Sequence, residues 1–456
     1  MISMTLAEAA AAMGSSCSSD RRFVGVGIDS RSLDPDQLFF AIVGERFDGH
    51  SFVGAALAAG AAAAVVMPGR ISADVNPESL IEVSDTRRAL GDLARCWRRM
   101  SGVRVAGITG SNGKTTVKEM LAAIAGVSHR VLATRGNLNN EIGVPLTLFG
   151  IDADVEIAVV EMGTSGPGEI AYLASIAEPD VALVNNCGAA HLQRLGSVEG
   201  VATEKSAIYG PLPADGVAVV NADDAQAARC LAAAADHSVL TFSAAGAPAD
   251  LRAVGVRTRP DGGSVVRAEL DDGTFELEVP LAGPHNVSNA LAAAAVALAL
   301  GIGVDDIARG LARVQPAAGR LERRHGPGGS VIVDDTYNAN PDSLAAALNT
   351  VATMGSERWL VLGDMGELGG GARARHREAG AAASAAGIAR LFTLGPLARL
   401  AGDTFDGPSE HFDSHESLLA RLRERLEGSE VVLVKGSRSA RLEHVVGPLT
   451  RERATC

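Results

Sequence analysis

Between Val103 and Gly126 the chain reads VRVAGITGSNGKTTVKEMLAAIAG: a short apolar strand, a glycine-rich turn, and a helix whose apolar positions recur at helical spacing. No other stretch limits the fold so tightly. A strand that turns through glycines into a helix presents backbone N–H groups at the helix N-terminus, where phosphate oxygens are cradled. Gly110, Ser111, Asn112, Gly113, Lys114, Thr115 and Thr116 are the residues of that cradle. Lys114 neutralises phosphate charge and the Thr115 hydroxyl reaches a magnesium ion. The strict form of this loop needs glycine at position 108, where Ile108 stands; the glycines fall at Gly107 and Gly110 instead.

Further apolar strands follow, EIAVVEM (Glu156 to Met162) and DVALVNN (Asp180 to Asn186), each set off by helical text. This is the rhythm of a parallel sheet with crossover helices, whose ligands sit at the C-terminal strand ends. Residues 251 to 280 are β-rich and broken by PDGG and DDG turns, which predicts antiparallel hairpins appended to the same domain. The helix after His285 closes that domain, and the Pro- and Gly-rich stretch Gln315 to Ser330 reads as a linker. Beyond it VIVDD, WLVLGD, RLFTLG and VVLVKGS alternate with helices, a Rossmann-like doubly wound α/β domain. Before the loop lies a small α/β unit: a strand LFFAIV, a polar turn GERFDGHSF and an Ala-rich stretch of helical character. With 456 residues and roughly 150 per domain, the expected division is 1–100, 101–315 and 316–456.

A formal charge of −13 with no clustered basic footprint argues against nucleic-acid binding. Cys17, Cys96, Cys187, Cys230 and Cys456 are scattered, odd in number and without C-x-x-C spacing, which predicts reduced thiols in cytosol. The longest apolar runs, Ala55 to Pro68 and Leu291 to Val304, fall short of the ~20 residues that span a bilayer, and no basic-then-apolar leader opens the sequence. A soluble, cytoplasmic chain without membrane insertion is expected.

The variant loop G-x-x-G-x-x-G-K-T-T, Gly107 to Thr116, resembles that of the Mur ligases and the related folylpolyglutamate synthetases. TRGNLNNEIGVPLTL (Thr134 to Leu148), EMGTSGPGEI (Glu161 to Ile170), NNCGAAHLQRLGSVEGVATEKSAIY (Asn185 to Tyr209), GPHNVSNALAAAA (Gly283 to Ala295) and DDTYNANPDS (Asp334 to Ser343) follow in an order and spacing similar to the family's D-alanyl-D-alanine-adding branch. The likeness runs from about residue 28 to 440. It implies three domains: a UDP-binding module, a central ATPase domain and a C-terminal Rossmann-like domain. The implied reaction joins D-alanyl-D-alanine to UDP-N-acetylmuramoyl-tripeptide (UDP-MurNAc-tripeptide), with ATP, two magnesium ions and an acyl-phosphate intermediate. The product is the pentapeptide precursor of peptidoglycan, made by a monomer.

The same resemblance assigns roles. Glu161, Thr115 and His191 are implied as magnesium ligands, the histidine an unusual one for an ion that prefers oxygen. Lys205 matches a family lysine that is carbamylated, although TEKSAI departs from the usual A-K-x-E-I around it. Asn286 and Asn289 resemble ATP contacts; plain capping by asparagine is the competing reading. Arg320 resembles an arginine that reaches phosphate when the last domain closes. Asp335, Tyr337, Asn338 and Asn340 resemble the wall for adenine and ribose. Lys435 and Arg438 are placed where the dipeptide carboxylate or acyl phosphate is met, against a plain surface turn. Ser30, Arg31, Arg46 and His50 are implied for the uridine diphosphate, and Asn137, Asn139, Asn140, Thr164 and Ser165 for the muramoyl-peptide end.

Three other readings are weaker. The sister ligase that selects diaminopimelate carries D-N-P-R, which does not occur here. Folylpolyglutamate synthetase lacks a UDP module before its phosphate loop. A non-catalytic nucleotide binder predicts missing catalytic groups, yet Lys114, Glu161, His191 and Lys205 are all present.

Overall fold

The computed structural model describes residues 1–44, 46–72, 75–260, 262–271, 273–355 and 357–450. Cys456 lies outside them, and the other four cysteines are free thiols. The strand that feeds the phosphate loop, Arg104–Thr109, is buried from Val105 onward inside a nine-stranded sheet. In spatial order the strands are Gly273–Val279, Ser264–Leu270, Leu251–Thr258, Ser238–Ser243, Val217–Asn221, Val181–Val184, Arg104–Thr109, Ile157–Glu161 and Val131–Ala133. Pairing is parallel from Val131–Ala133 through to the start of Leu251–Thr258, then antiparallel through the two hairpins. The expected hairpin appendage therefore extends the same sheet.

Helix Pro284–Ala299 packs on this sheet, and every residue from Ala290 to Ala297 is fully buried. A helix apolar on all sides must be enclosed. Its alanines permit close approach to the helix Lys114–Ala125 that follows the phosphate loop. The next helix, Val304–Leu311, approaches closer still: a Cβ added at Gly310 would lie 2.3 Å from Ile124 Cα. The phosphate-loop helix is thus clamped against displacement.

The C-terminal unit is a six-stranded sheet in the order Glu322–His325, Val331–Asp335, Glu430–Lys435, Glu357–Gly363, Arg390–Leu394, Ser409–Phe412, parallel except for its first pair. The first strand corrects the linker expected over Gln315 to Ser330. Glu322–His325 is polar and alternates half-buried with exposed positions at the sheet edge, so it carries no apolar signal.

The N-terminal unit holds a parallel sheet of Val26–Gly27, Leu38–Phe40, Ala63–Val66 and Leu80–Glu82, beside an antiparallel pair Ser3–Thr5 and Arg22–Val24. Here two expectations are corrected. The strand expected over LFFAIV ends at Phe40, and the Ala-rich stretch is helical only over Val53–Ala58 before it becomes a strand at Ala63–Val66. That strand is buried throughout, and a short apolar run buried on both faces has no period to separate strand from helix. Helix Thr86–Ser101, capped by Asp85 and ended by Gly102 at φ +63°, docks the unit on helices Gly143–Leu148 and Glu169–Ala177 of the middle unit. Its Arg98 donates to the carbonyls of Ala177 and Glu178 and pairs with Asp180 at 2.8 Å. Among the described residues no helix is long and apolar enough to cross a membrane.

Candidate active site

The C-terminal ends of the middle strands face the C-terminal unit across a cleft of about 620 Å³. One wall carries Ser111 to Thr116, Glu161, His191, Asn286 and Asn289; the other carries Arg320, Asp335, Tyr337, Asn338, Asn340 and Lys435.

The loop is shaped by a positive φ and held from behind by amides. Gly113 sits at φ +80°, and a Cβ there would lie 2.3 Å from Asn289 Oδ1 and 2.6 Å from Asn185 Nδ2, so only glycine fits. The Asn185 and Asn186 side chains each donate to the Asn112 carbonyl at 3.0 Å, and Asn112 N–H donates back to Asn186 Oδ1 at 2.8 Å. Asn289 donates to Asn286 Oδ1 at 3.0 Å, and Asn286 donates to the Ala282 carbonyl at 2.8 Å. Neither asparagine caps its helix, where Gly283 stands at the cap. The first N–H groups of the helix Lys114–Ala125 have no intrahelical partner, and their residues line the cleft.

Around the loop the charges interlock. Lys114 Nζ donates to the Gly110 carbonyl at 2.7 Å. Loss of solvent lowers its pKa and the Arg320 charge adds to this, while Glu161 and Glu367 oppose it. The Thr115 hydroxyl donates to Glu161 Oε2 and accepts from Arg320 Nη2, both at 2.8 Å. Glu161 Oε1 accepts from Asn139 at 2.7 Å. The Arg320 guanidinium lies 4.0 Å from the Tyr337 ring centroid. Asn340 donates to Asn112 Oδ1 at 2.9 Å, and Ala189 N–H donates to Asp342 Oδ2 at 3.1 Å, so the C-terminal unit already touches the phosphate loop and its neighbour.

Lys205 is fully buried on helix Val198–Ser206, behind the cleft's lining, and among the described residues its amine has no hydrogen-bond partner. Burial, followed by the Lys114 charge, pulls its pKa down to about 7. An orphaned amine that is partly neutral at physiological pH has the chemistry needed to add carbon dioxide. His191, at φ +54°, places Nδ1 2.6 Å from Glu367 Oε2, off the line of a hydrogen bond. This contact holds the Glu367 carboxyl below its ordinary range.

For magnesium, the converging oxygens of Glu161 and Thr115 fit a hard cation. Among the described residues no three His, Cys, Asp or Glu side chains gather as a cage. Such a sparse donor set fits an ion that keeps water and takes phosphate oxygens.

Not every expected residue comes to the cleft. Asn139, Asn140, Thr164 and Ser165 line it, with Thr164 donating to the Gly166 carbonyl at 2.8 Å and Ser165 N–H to Glu169 at 2.7 Å. Asn137 is exposed and lies outside the lining. Ser30, Arg31, Arg46 and His50 are in the N-terminal unit, also outside it. Arg31 folds back on Asp29 in a bidentate pair at 2.9 and 2.6 Å with its side chain 87% exposed, and Arg46 is exposed. His50 is a correction: it is buried, Nε2 accepts from Met67 N–H at 2.9 Å and Nδ1 meets Asp48 at 2.5 Å, so no ring nitrogen is left for a ligand. Arg438 pairs with Glu443 at 3.3 Å on the surface and lies outside the cleft's lining. Lys435 does line it, but is buried and committed to Asp335 at 2.5 Å and the Asn338 carbonyl at 3.0 Å. Glu367, Asp342, Asn185 and Asn186 were missed as site residues; the last three stand in the quoted motifs, whereas Glu367 carries no local signal.

Family models match in chain order: the Mur ligase family, catalytic domain, over residues 22–98, the Mur ligase middle domain over 108–297, and the Mur ligase, glutamate ligase domain, over 319–438. The UDP-N-acetylmuramoyl-tripeptide--D-alanyl-D-alanine ligase of Escherichia coli (strain K12) is 40% identical over 459 residues, covering 100% of both chains. The crystal structure of MurF from Acinetobacter baumannii superposes with a TM-score of 0.90 at 32% identity, covering 99% of each chain. The MurF ligase from Thermotoga maritima, in complex with ADP, gives 0.82 at 28% identity over 94% of this chain and 97% of that one. With its whole length matched in this way, the chain belongs to the Mur ligase family.

Proposed function

We propose that the chain is an ATP-dependent ligase that joins D-alanyl-D-alanine to UDP-MurNAc-tripeptide. The observation that carries this reading is a cleft that joins a phosphate loop to Arg320 and Asn340 of the C-terminal unit, with a buried lysine behind it whose amine has no hydrogen-bond partner among the described residues, in a chain alike over its full length to a ligase of that name. The tripeptide's terminal carboxylate attacks the γ-phosphorus, ADP leaves, and an acyl phosphate forms. The neutral amine of the dipeptide then attacks the acyl carbon, and phosphate departs.

Positioning and charge neutralisation carry such chemistry. Lys114 exchanges the Gly110 carbonyl for phosphate oxygens, and the N–H groups of Lys114 to Thr116 take the remaining charge. Arg320 and Asn340 bring the C-terminal unit onto the nucleotide and exclude water that would hydrolyse the acyl phosphate. Two magnesium ions, when bound, offset repulsion between the approaching anions. Glu161, the Thr115 hydroxyl and His191 are the residues that would hold them. Lys205 adds carbon dioxide as the neutral amine, releasing a proton and leaving a carbamate that balances the Lys114 charge. Asp335, Tyr337, Asn338, Asn286 and Asn289 frame the nucleotide. Ser30, Arg31 and Arg46 take the uridine diphosphate, while Asn139, Asn140, Thr164 and Ser165 meet the peptide end.

This assigns residues 1–100 to the UDP end, 101–315 to ATP and 316–456 to closure and the dipeptide. On this reading the chain acts as a monomer, in the cytoplasm where ATP is supplied. Phosphate release by the purified chain, with UDP-MurNAc-tripeptide and D-alanyl-D-alanine supplied separately and together, tests the reading. Release that needs both, with one dipeptide mass gained by the nucleotide, is expected. Release with UDP-MurNAc-dipeptide plus a free diamino acid would replace it with the sister reaction.

A further inference from the structure

We infer that Glu367 is a positioning residue of the C-terminal unit that reaches across the cleft to hold His191, so that the metal site is completed by domain closure; this rests on the magnesium role proposed for His191. The two side chains come from different sheets. His191 precedes the short helix Leu192–Leu195, beyond strand Val181–Val184, and Glu367 lies on the loop after strand Glu357–Gly363. Their facing atoms, Nδ1 and Oε2, are 2.6 Å apart.

Backbone geometry separates this contact from a chance surface pair. His191 sits at φ +54° and Glu367 at φ +61°, left-handed conformations that cost any residue with a Cβ. Strain on both sides of one interface is maintained only where the surroundings over-determine it. The Glu367 loop is held in that way. His376 Nε2, buried, accepts from Met365 N–H at 2.9 Å. Asp364 Oδ1 accepts from Leu397 and Ala398 N–H at 3.0 and 2.6 Å, and its carbonyl from Ser437 N–H at 2.9 Å. On the facing side, a Cβ at Gly369 would stand 3.5 Å from Gln193 Cα, so the loop seats directly on the His191 segment.

A carboxylate hydrogen-bonded at Nδ1 fixes the tautomer and ring orientation of a histidine and leaves Nε2 as the donor to a metal. The 2.6 Å Glu367 contact lies off that line, and on this inference it turns into that bond when the metal is taken up, so that its removal costs about tenfold or more in metal affinity. The test is Mn2+ binding to the full chain in the presence of ADP, read from free Mn2+ by electron paramagnetic resonance, with Mg2+ dependence of phosphate release measured alongside. The Glu367 side chain is 59% exposed, so its variants leave the core intact. Glu367→Ala is expected to weaken one Mn2+ site about tenfold and to raise the half-saturating Mg2+ concentration to match. Glu367→Gln, which keeps an acceptor oxygen, recovers most of that loss. His191→Ala combined with Glu367→Ala binds no more weakly than His191→Ala alone. Unchanged Mn2+ affinity in Glu367→Ala, or losses that add in the double variant, would overturn the inference. A wild-type chain that binds Mn2+ yet ligates nothing would instead count against the proposed reaction.

Discussion

The cleft between the middle and C-terminal units and the N-terminal surface carry the same kind of expectation, residues assigned to phosphate-bearing ligands, but they are built differently. In the cleft, backbone and side chains are fixed before any ligand arrives: Gly113 fits nothing larger and Asn112 is gripped by two amides, while behind the lining Lys205 is sealed from water. On the N-terminal unit Arg31 lies on the surface paired with its neighbour Asp29, and Arg46 stands in solvent. A charge-handling site must be preorganised because reorganisation adds to the barrier. A recognition surface can recruit mobile side chains at the cost of their ordering.

The contrast is broken most sharply at Lys205. Lys205→Met is expected to lower ligation about 10³-fold, the scale of losing a preorganised charge, yet to stabilise the fold in CO2-free buffer by about 2 kcal/mol at pH 6, because an unpaired buried amine is removed. The sign follows from the folded value of about 7 against 10.5 for free lysine. Between these values the unfolded chain binds more protons, so wild-type stability rises with pH, and the methionine variant's gain in Tm is largest below pH 7 and fades toward 10.5. Thermal melts across that range decide it.

Gly113→Ala comes next. A Cβ 2.3 Å from Asn289 Oδ1, at φ +80°, should cost about 1–3 kcal/mol, seen as a roughly 10- to 100-fold loss of ADP affinity by calorimetry. Arg31→Ala is expected to raise KM for UDP-MurNAc-tripeptide about tenfold through one lost charge-assisted contact while leaving kcat unchanged. A fall in kcat would place the N-terminal unit in the chemistry. The smallest kinetic effect is expected at His50→Ala, with KM within about twofold of wild type but stability about 2 kcal/mol lower, because its buried ring serves Met67 and Asp48.

What the sequence revealed divides along the same line. The phosphate loop was legible because its requirements are local: glycine where φ is positive, lysine and threonine at the helix start. The hairpins between Leu251 and Val279 were legible from turn residues and alternation. Ala63–Val66 was not, since burial on both faces erases the period, and Glu322–His325 was not, since an edge strand can be wholly polar. Glu367 and the coupling of Lys435 to Asp335 were invisible because they arise only when distant segments meet. His50 misled because a polar residue in a motif can serve the turn that carries it.

The central claim, that this cleft activates a carboxylate by phosphorylation, is tested most directly with UDP-MurNAc-tripeptide labelled with 18O at its terminal carboxylate. If an acyl phosphate forms, each phosphate released during ligation carries one 18O atom. Unlabelled phosphate alongside pentapeptide product would contradict the account.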